Sequence, residues 1–436
     1  MPTIYFMLKI ILFLIPLSLF SSTFKIASYN VENLFDMTYN GSEYKEYTPY
    51  KYGWNRKNFS KKLLNISEVI CEINADIIGL QEIENGNVLK KLQTSLRKVG
   101  CFYKYSAITH KKYSAIQVAV LSKLPIKSKK EIVVKRALGY RNILEVKYII
   151  NNNPLYIYIN HWKSKASKES KRMVSALALK KRLNALPKGS EYVLLGDFNS
   201  DYNEYQKMKK QHNDTLGQTG INHILKTINS DEKFIRPSSF KENAFEHYNL
   251  WLELSNYKRW SHNFYGNKQG LDAILLPSTL FDGEGIDYLS NSFYVLKKSY
   301  LFHKKGYIFR WEYKHKRHQG RGYSDHLPIV ASFSTEPFKK LNKSIVKGSI
   351  KSLHGKNPSF PMFLKELKVI SKEKNKVLVK EVHSGQMIFI YGVKDSFILG
   401  ESYDIQVYKR KFYKGHYEII DFEIEKGYDA VIRKKE

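Results

Sequence analysis

Residues 192–199, with the sequence YVLLGDFN, join a short apolar run to polar side chains. The apolar part is typical of a buried β-strand, because it is short and lacks helical spacing. Asp197 and Asn199 therefore stand at the carboxyl end of a predicted strand. Layered α/β proteins place ligand sites at such strand ends. This stretch thus predicts one strand of an α/β domain and part of its site.

Strand-like and helical segments alternate on both sides of this strand, from about residue 24 to 336. Helical spacing of apolar residues occurs in three segments, with strand-like runs between and after them. The predicted helices are 59–73, 88–99 and 171–186, and the predicted strands are 24–30, 75–80, 115–121, 142–150, 155–160, 192–195, 271–276 and 329–333. This order predicts a layered α/β domain. The polar segment 202–260 is typical of loops over a site.

The chain changes character near Glu336 and Pro337. Beyond them, residues 376–382, 387–391, 403–408 and 417–422 are strand-like, and helical spacing is weak. About 100 residues of short strands predict a small β-barrel or sandwich, with an OB-like barrel as one form. The expected organisation is a signal peptide at 1–22, a catalytic domain at 23–336 and a small β domain at 337–436.

Residues 1–22 are typical of an export signal. Lys9 adds positive charge before the apolar run 10–20, and the small residues Ser21 and Ser22 follow. This run is shorter than a normal membrane-spanning helix. We therefore expect a secreted or periplasmic protein whose membrane contact is limited to the export segment. An uncleaved anchor is the alternative.

Charge and cysteine content restrict the classes of function. The 436 residues include 72 Lys and Arg against 41 Asp and Glu, so the formal net charge is +31. Such an excess attracts polyanions such as nucleic acid or anionic lipid, although A/T-rich codon usage is an equal explanation for it. The two cysteines, Cys71 and Cys101, exclude a disulfide scaffold and a zinc-thiolate cluster, and leave one bridge open. Nothing in the sequence implies a stable protein partner.

Polar residues recur where the predicted strands end or begin. They are Asn30, Gln81, Glu82, His161, Asp197, Asn199, Asp272, Asp325 and His326. Carboxylates and amides without thiolates suit a hard divalent cation; we expect Mg²⁺, with Mn²⁺ or Ca²⁺ as alternatives. The histidines add acid–base capacity near neutral pH. Together these groups predict cleavage of a phosphate ester.

The motifs that carry these residues resemble those of the endonuclease/exonuclease/phosphatase superfamily, which includes deoxyribonuclease I. In chain order they are SYNVEN (28–33), LQEIEN (80–85), NHWKSK (160–165), GDFNSD (196–201), GLDAILL (270–276) and YSDHLPIV (323–330). NHWKSK is most similar to secreted bacterial nucleases of this group. The resemblance covers about residues 24–336 and implies a four-layer α/β sandwich.

The resemblance also implies roles for individual residues. Metal ligation falls to Asn30, Glu82 and Asp325; catalysis to His161, Asp197, Asp272 and His326; and phosphate binding to Arg141, Asn199 and Lys163. Asp197 would orient or deprotonate the attacking water, and Asp272 would pair with His326. His161 would face the leaving group.

One position departs from the pattern. Deoxyribonuclease I pairs the equivalent of His161 with a glutamate, but the strand SAIQVAVLS (114–122) offers only Gln117. His161 would then act by hydrogen bonding, with Lys163 or the metal taking the leaving-group charge. Two further hypotheses assign base stacking and phosphate pairing to Trp162, Lys163 and Lys165, and polyanion steering to residues 314–321. For both, an ordinary packed or solvated role is as good an explanation.

The sequence thus predicts a secreted or periplasmic, metal-dependent nuclease that hydrolyses DNA, with RNA as a second substrate. One rival is a phosphoesterase of the same superfamily that acts on a phospholipid, as a sphingomyelinase does, or on a sugar phosphate. The other is a catalytically silent polyanion-binding protein. That rival predicts loss of Glu82, Asp197, Asp325 or His326, and all four are present.

Overall fold

The computed structural model describes residues 23–336, 346–355, 357–373, 375–391 and 397–427. The predicted signal peptide, residues 1–22, lies outside these ranges. From 23 to 336 the elements are β1 (Thr23–Leu34), α1 (Arg56–Ile73), β2 (Ile77–Ile83), α2 (Gly86–Lys98), β3 (Tyr105–Ile108), β4 (Gln117–Ser122), β5 (Ser128–Ile132), β6 (Ile143–Ile150), β7 (Asn153–His161), α3 (Glu169–Leu183), β8 (Glu191–Asp197), α4 (Glu204–Lys207), β9 (Tyr248–Asn249), β10 (His262–Phe264), β11 (Asn267–Gln269), β12 (Asp272–Leu276), β13 (Asp287–Tyr288), β14 (Tyr294–Val295), β15 (Tyr313–Lys314), β16 (Arg317–His318) and β17 (Ile329–Ser334). The elements that follow are β18 (Val346–Lys347), α5 (Ile350–His354), β19 (Met362–Lys372), β20 (Lys376–Glu381), β21 (Met387–Tyr391), β22 (Ser402–Tyr413) and β23 (His416–Gly427).

Two large sheets pack face to face in the first part of the chain. One has the order β13-β17-β1-β2-β4-β3, with β14 also beside β17, and the other has the order β5-β6-β7-β8-β12-β9. They approach so closely at Gly79 that a Cβ there would lie 2.4 Å from Leu195 Cδ1. Helices α1 and α2 pack against the first sheet, and α3 packs against the second. The predicted four-layer α/β sandwich is confirmed.

Strand direction brings the predicted site residues to one edge. Parallel pairing of β1 with β2 sets Asn30 beside Gln81, and parallel pairing of β7 with β8 sets His161 beside Asp197. Strand β12 runs antiparallel to β8, so its first residue, Asp272, also lies beside Asp197. Because β17 is antiparallel to β1, the residues just before it reach the same edge.

A disulfide bond joins α1 to the segment after α2. Cys71 and Cys101 are bonded, with their Cα atoms 5.8 Å apart. The single bridge that the sequence left open is therefore present.

The C-terminal strands form a barrel rather than a sandwich. Their order is β19-β20-β21-β23-β22, and β22 closes the barrel by pairing with β19. Only β21 and β23 are parallel among these five strands, which is the arrangement of an OB-fold. Strand β19 was not predicted, because the polar positions of MFLKELKVISK hide its alternation, and a bulge lies between Leu364 and Leu367.

Buried contacts join the barrel to the α/β sandwich. Arg259 Nη2 lies 2.6 Å from Asp421 Oδ1, and both side chains are almost wholly buried. The guanidinium of Arg236 stacks on the ring of Tyr408. Part of segment 202–260, which was predicted to form loops over a site, therefore contacts the barrel instead. Within the described ranges, no helix has the length and apolar character needed to cross a membrane.

Candidate active site

Asn30 connects two carboxylates that come from different sheets. Its Nδ2 atom donates to Glu82 Oε1 at 3.2 Å and to Asp197 Oδ2 at 3.1 Å. Its Oδ1 atom accepts from the backbone N–H of Glu32 at 3.0 Å. The amide thus bridges the ends of β2 and β8, and its predicted role as a metal ligand stays a prediction.

Both carboxylates are held where a negative charge is costly. Burial raises the pKa of Asp197 to about 7; the charge of His326 lowers it in part, and the charge of Asp272 raises it again by less. Burial, and then the charge of Asp325, raise the pKa of Glu82. A bound cation would offset this cost, because it would place positive charge beside the buried carboxylates of Glu82 and Asp197.

Asp272 and His326 form the predicted acid–imidazole pair. His326 Nδ1 donates to Asp272 Oδ2 at 2.7 Å, and the same oxygen accepts from the hydroxyl of Ser261 at 2.6 Å. His326 Nε2 is directed towards Asp197, 4.0 Å from Oδ2. Burial opposes the imidazolium, but the charge and hydrogen bond of Asp272 prevail and hold the pKa of His326 well above its ordinary value.

His161 has the opposite electrostatic character. Its Nε2 lies 3.5 Å from Asp197 Oδ2 and 3.7 Å from Glu82 Oε1. Burial, and then the charges of Arg141 and His326, lower its pKa well below the ordinary value. Its Nδ1 atom is buried without a hydrogen-bond partner in the described part of the chain. The two predicted histidines therefore differ: the surroundings of His326 favour the charged imidazole, and those of His161 favour the neutral one.

The side chain of Gln117 is engaged away from His161. Its Oε1 accepts from the Thr109 hydroxyl at 2.9 Å and from the Lys111 backbone N–H at 3.0 Å. Gln117 therefore does not pair with His161, and the role of His161 stays a prediction.

Asp325 lies beside basic side chains that include two residues not predicted from the sequence, Arg310 and His262. Its Oδ2 atom is 3.4 Å from Arg310 Nη2 and 3.9 Å from His262 Nε2. Burial would raise the pKa of Asp325, but His326, Arg310 and His262 together lower it. The rings of His262 and His326 are 4.7 Å apart.

The positions of these two residues follow from tertiary structure. His262 opens the β10–β11 hairpin, which returns the chain to Asp272. Arg310 is half exposed and donates to the buried carboxylate of Glu32, with an Nε–Oε1 distance of 2.9 Å. A sequence signal existed for Glu32, since it lies two residues after Asn30 in SYNVEN.

Two of the predicted phosphate-binding residues hold the loop after β7. Arg141 Nη1 donates to the backbone oxygen of Trp162 at 2.9 Å, and Asn199 Nδ2 donates to the same oxygen at 3.3 Å. Asn199 Oδ1 also accepts from the backbone N–H of Lys165 at 3.2 Å. The third predicted phosphate-binding residue, Lys163, lies between Trp162 and Lys165 on this loop. Phosphate contacts by these residues stay predictions.

The hypotheses for Trp162 and Lys165 are wrong. Trp162 is buried, with its ring 4.8 Å from the ring of Phe198, so no base can stack on it. Lys165 Nζ lies 2.5 Å from Asp201 Oδ2 and 2.6 Å from Glu204 Oε2, which leaves it committed to the fold.

The chemistry of the donor set fits a hard divalent cation. Two overlapping groups of three side chains have donor atoms within 4.8 Å of one another: His262, Asp325 and His326, and Asp197, Asp272 and His326. Glu82 is in neither group, although the charge of Asp325 acts on it. Carboxylate oxygens and imidazole nitrogens are suitable ligands for Mg²⁺ or Mn²⁺. The raised pKa values of Glu82 and Asp197 show that these buried carboxylates would gain from a nearby positive charge.

A two-sheet sandwich whose strand ends gather carboxylates and imidazoles defines a phosphoester hydrolase. The chain belongs to the Endonuclease/Exonuclease/phosphatase family, whose sequence profile matches residues 25–335.

Similar solved structures include humanized D. rerio TDP2 carrying 14 mutations, at 14% identity and a TM-score of 0.46, covering 72% of this chain and 100% of that one. A family protein from Leptotrichia buccalis has 15% identity and a TM-score of 0.41, with 71% and 98% covered. One from Bacteroides vulgatus has 11% identity and a TM-score of 0.44, with 72% and 99% covered. No curated protein matches this chain.

Proposed function

We propose that this protein is a metal-dependent nuclease that hydrolyses phosphodiester bonds of DNA, with RNA as the second candidate substrate. The observation that carries the proposal is the meeting of Asn30, Glu82 and Asp197 with the Asp272–His326 pair at one edge of the two sheets. The net charge of +31 supports a long polyanion as substrate.

Each side chain of the site has a separate role in the proposed hydrolysis. Asp197, whose pKa is about 7, accepts the proton of the attacking water near neutral pH. His326 stays protonated through Asp272 and donates to a phosphate oxygen as negative charge develops there. Neutral His161 hydrogen-bonds on the leaving-group side. A cation held by Glu82 and Asp325 would supply charge neutralisation at the phosphate.

We also propose that the protein acts outside the cytosol. The export-like segment at 1–22 supports this location, and so does the Cys71–Cys101 bond, since disulfides persist in oxidising compartments.

The test offers the purified protein supercoiled plasmid, linear duplex, single strands, RNA and choline phospholipid, each with Mg²⁺ and each with EDTA. We expect cleavage of nucleic acid that EDTA abolishes. Asp197→Ala and His326→Ala should lose this cleavage, whereas Asp231→Ala and His110→Ala, at exposed positions, should keep it.

Two results would overturn the proposal. Intact plasmid beside lipid turnover would make the protein a phospholipid phosphoesterase. Absence of turnover on every substrate, together with polyanion binding, would make it catalytically silent.

A further inference from the structure

The outer face of the barrel carries a row of aromatic and cationic side chains. Val377 and Val379 of β20 point into the barrel core, as do Ile388 and Ile390 of β21, so the residues that alternate with them face outward. We call the resulting surface, shared with the β22–β23 hairpin, the barrel strip; it consists of Lys380, Met387, Phe389, Lys411, Tyr413 and His416.

The barrel strip is continuous across four strands. Lys380 and Met387 are direct cross-strand partners, and so are Tyr413 and His416. The rings of Phe389 and His416 are 5.5 Å apart, which joins β21 to the hairpin. Lys411 Nζ lies 4.3 Å from the centre of the Tyr413 ring.

The strip is accessible and predominantly positive. Met387 is 52% exposed and Tyr413 is 44% exposed, whereas Phe389 is half-buried and has Lys376 Nζ 3.9 Å from the centre of its ring. The hairpin sequence KRKFYKGH, residues 409–416, contains no carboxylate. Glu418 lies on the same face, in register with Phe389 and Lys411, but its side chain is buried and lies 3.4 Å from His416. Glu373, at the β19–β20 turn, is paired with Lys376 at 3.5 Å. The surface therefore attracts anions and offers aromatic faces beside the cations.

We propose that the barrel strip binds single-stranded nucleic acid. Unpaired bases would stack on Phe389 and Tyr413, and phosphates would pair with Lys380 and Lys411. Duplex DNA presents only its backbone to such a surface, because its bases are already stacked. This inference rests on the proposed nuclease function, and it adds a second surface for the substrate outside the active site.

A contact between the barrel and the α/β sandwich links the barrel strip to the segment that leads into the active site. Tyr391, two residues after Phe389 on β21, has its ring 6.2 Å from the ring of Tyr257 in the α/β sandwich. His262 of the site follows Tyr257 by five residues, so their Cα atoms are at most about 18 Å apart. The Tyr391–Tyr257 contact therefore connects the strand that carries Phe389 to the segment that leads into the site.

Neutral oligosaccharide is the other ligand that OB barrels bind on this face and its loops. The cations of the hairpin argue for nucleic acid, because a neutral sugar gains nothing from them. The two ligands differ in salt dependence, since only phosphate binding releases counterions.

The experiment measures binding of a fluorescent oligothymidine to the full chain by anisotropy, in EDTA so that no cleavage occurs. The double variant Phe389→Ala/Tyr413→Ala should weaken binding about tenfold or more. Lys380→Gln/Lys411→Gln should weaken binding and flatten its dependence on salt. Phe102→Ala and Tyr113→Ala remove exposed rings from the α/β sandwich and should leave affinity unchanged.

Wild-type affinity in both strip variants would overturn the inference, and so would binding of a neutral oligosaccharide in place of the oligothymidine. Hydrolysis of bis(p-nitrophenyl) phosphate, a substrate too small to need the barrel, reports on the nuclease function separately. Strip variants should retain that hydrolysis. If the wild type lacks it while the strip variants lose oligothymidine, the nuclease proposal fails and the binding surface stands.

Discussion

The Asp272 carboxylate determines the charge of His326. One of its oxygens accepts hydrogen bonds from both His326 and Ser261, and its negative charge keeps the imidazole protonated in a buried place. A neutral amide at this position would keep the shape but lose the charge.

Replacing Asp272 with Asn should therefore reduce kcat by about 10²- to 10⁴-fold, the range of a positioned acid–base group. Because the pKa of His326 falls without the Asp272 charge, the alkaline limb of the kcat–pH profile should move to lower pH. Ser261→Ala removes only a hydrogen bond and should cost much less. An Asp272→Asn profile that overlays the wild type would contradict this role.

The raised pKa of Asp197 makes cation binding depend on pH. A carboxyl group whose pKa is raised on folding stabilises the fold in its protonated form, and that contribution is lost as pH rises through about 7. A cation bound at the site would replace the proton above this pH.

We therefore expect Mg²⁺ to raise Tm more at pH 8 than at pH 5, measured by thermal unfolding with and without the ion. Asp197→Asn should reduce the difference between the two pH values. An equal shift at both pH values would show that the ion binds elsewhere.

At the scale of elements, the end of β8 depends on a glycine. Gly196 has φ +132°, and a Cβ there would lie 2.1 Å from the backbone oxygen of Asn160 on β7. This close approach holds Asp197 against His161, its partner in the β7–β8 register.

Gly196→Ala should lower the free energy of unfolding by roughly 2–4 kcal/mol, because it combines backbone strain with a clash against backbone. Gly189→Ala is the matched control: Gly189 also has positive φ, +77°, but nothing lies within 4 Å of the added Cβ. That change should cost only about 1–2 kcal/mol. Chemical denaturation of both variants measures the difference, and equal costs would contradict it.

At the scale of the whole molecule, a buried ion pair joins the barrel to the sandwich. Arg259 and Asp421 come from different parts of the fold, and neither is accessible enough to be solvated once its partner is removed. Removing the Asp421 charge leaves the buried guanidinium of Arg259 without its counter-charge, which costs more than the pair itself contributes.

Asp421→Asn should therefore destabilise the contact by about 3–5 kcal/mol. In calorimetry we expect the barrel to unfold before the sandwich. Glu373→Gln breaks the exposed pair with Lys376 and should change stability by less than ~1 kcal/mol. A single, unshifted transition in Asp421→Asn would show that the ion pair does not connect the two parts.

The sequence by itself determined the helices and central strands of the sandwich and most of the chemical inventory of the site. Apolar spacing predicted α1, α2 and α3 and the central strands, because burial imposes a period of 3.6 or 2 on the residues that face a core. The six motifs predicted which carboxylates and imidazoles lie at the strand ends.

Tertiary structure decided the rest. The neutral state of His161, the positive charge of His326, and the arrival of Arg310 and His262 beside Asp325 depend on burial and on contacts between segments far apart in the chain. The same holds for Trp162, whose ring is hidden by packing that no local pattern encodes. Local periodicity reports which face of an element is buried, whereas charge states and partners are set by distances that exist only after the sheets have packed together.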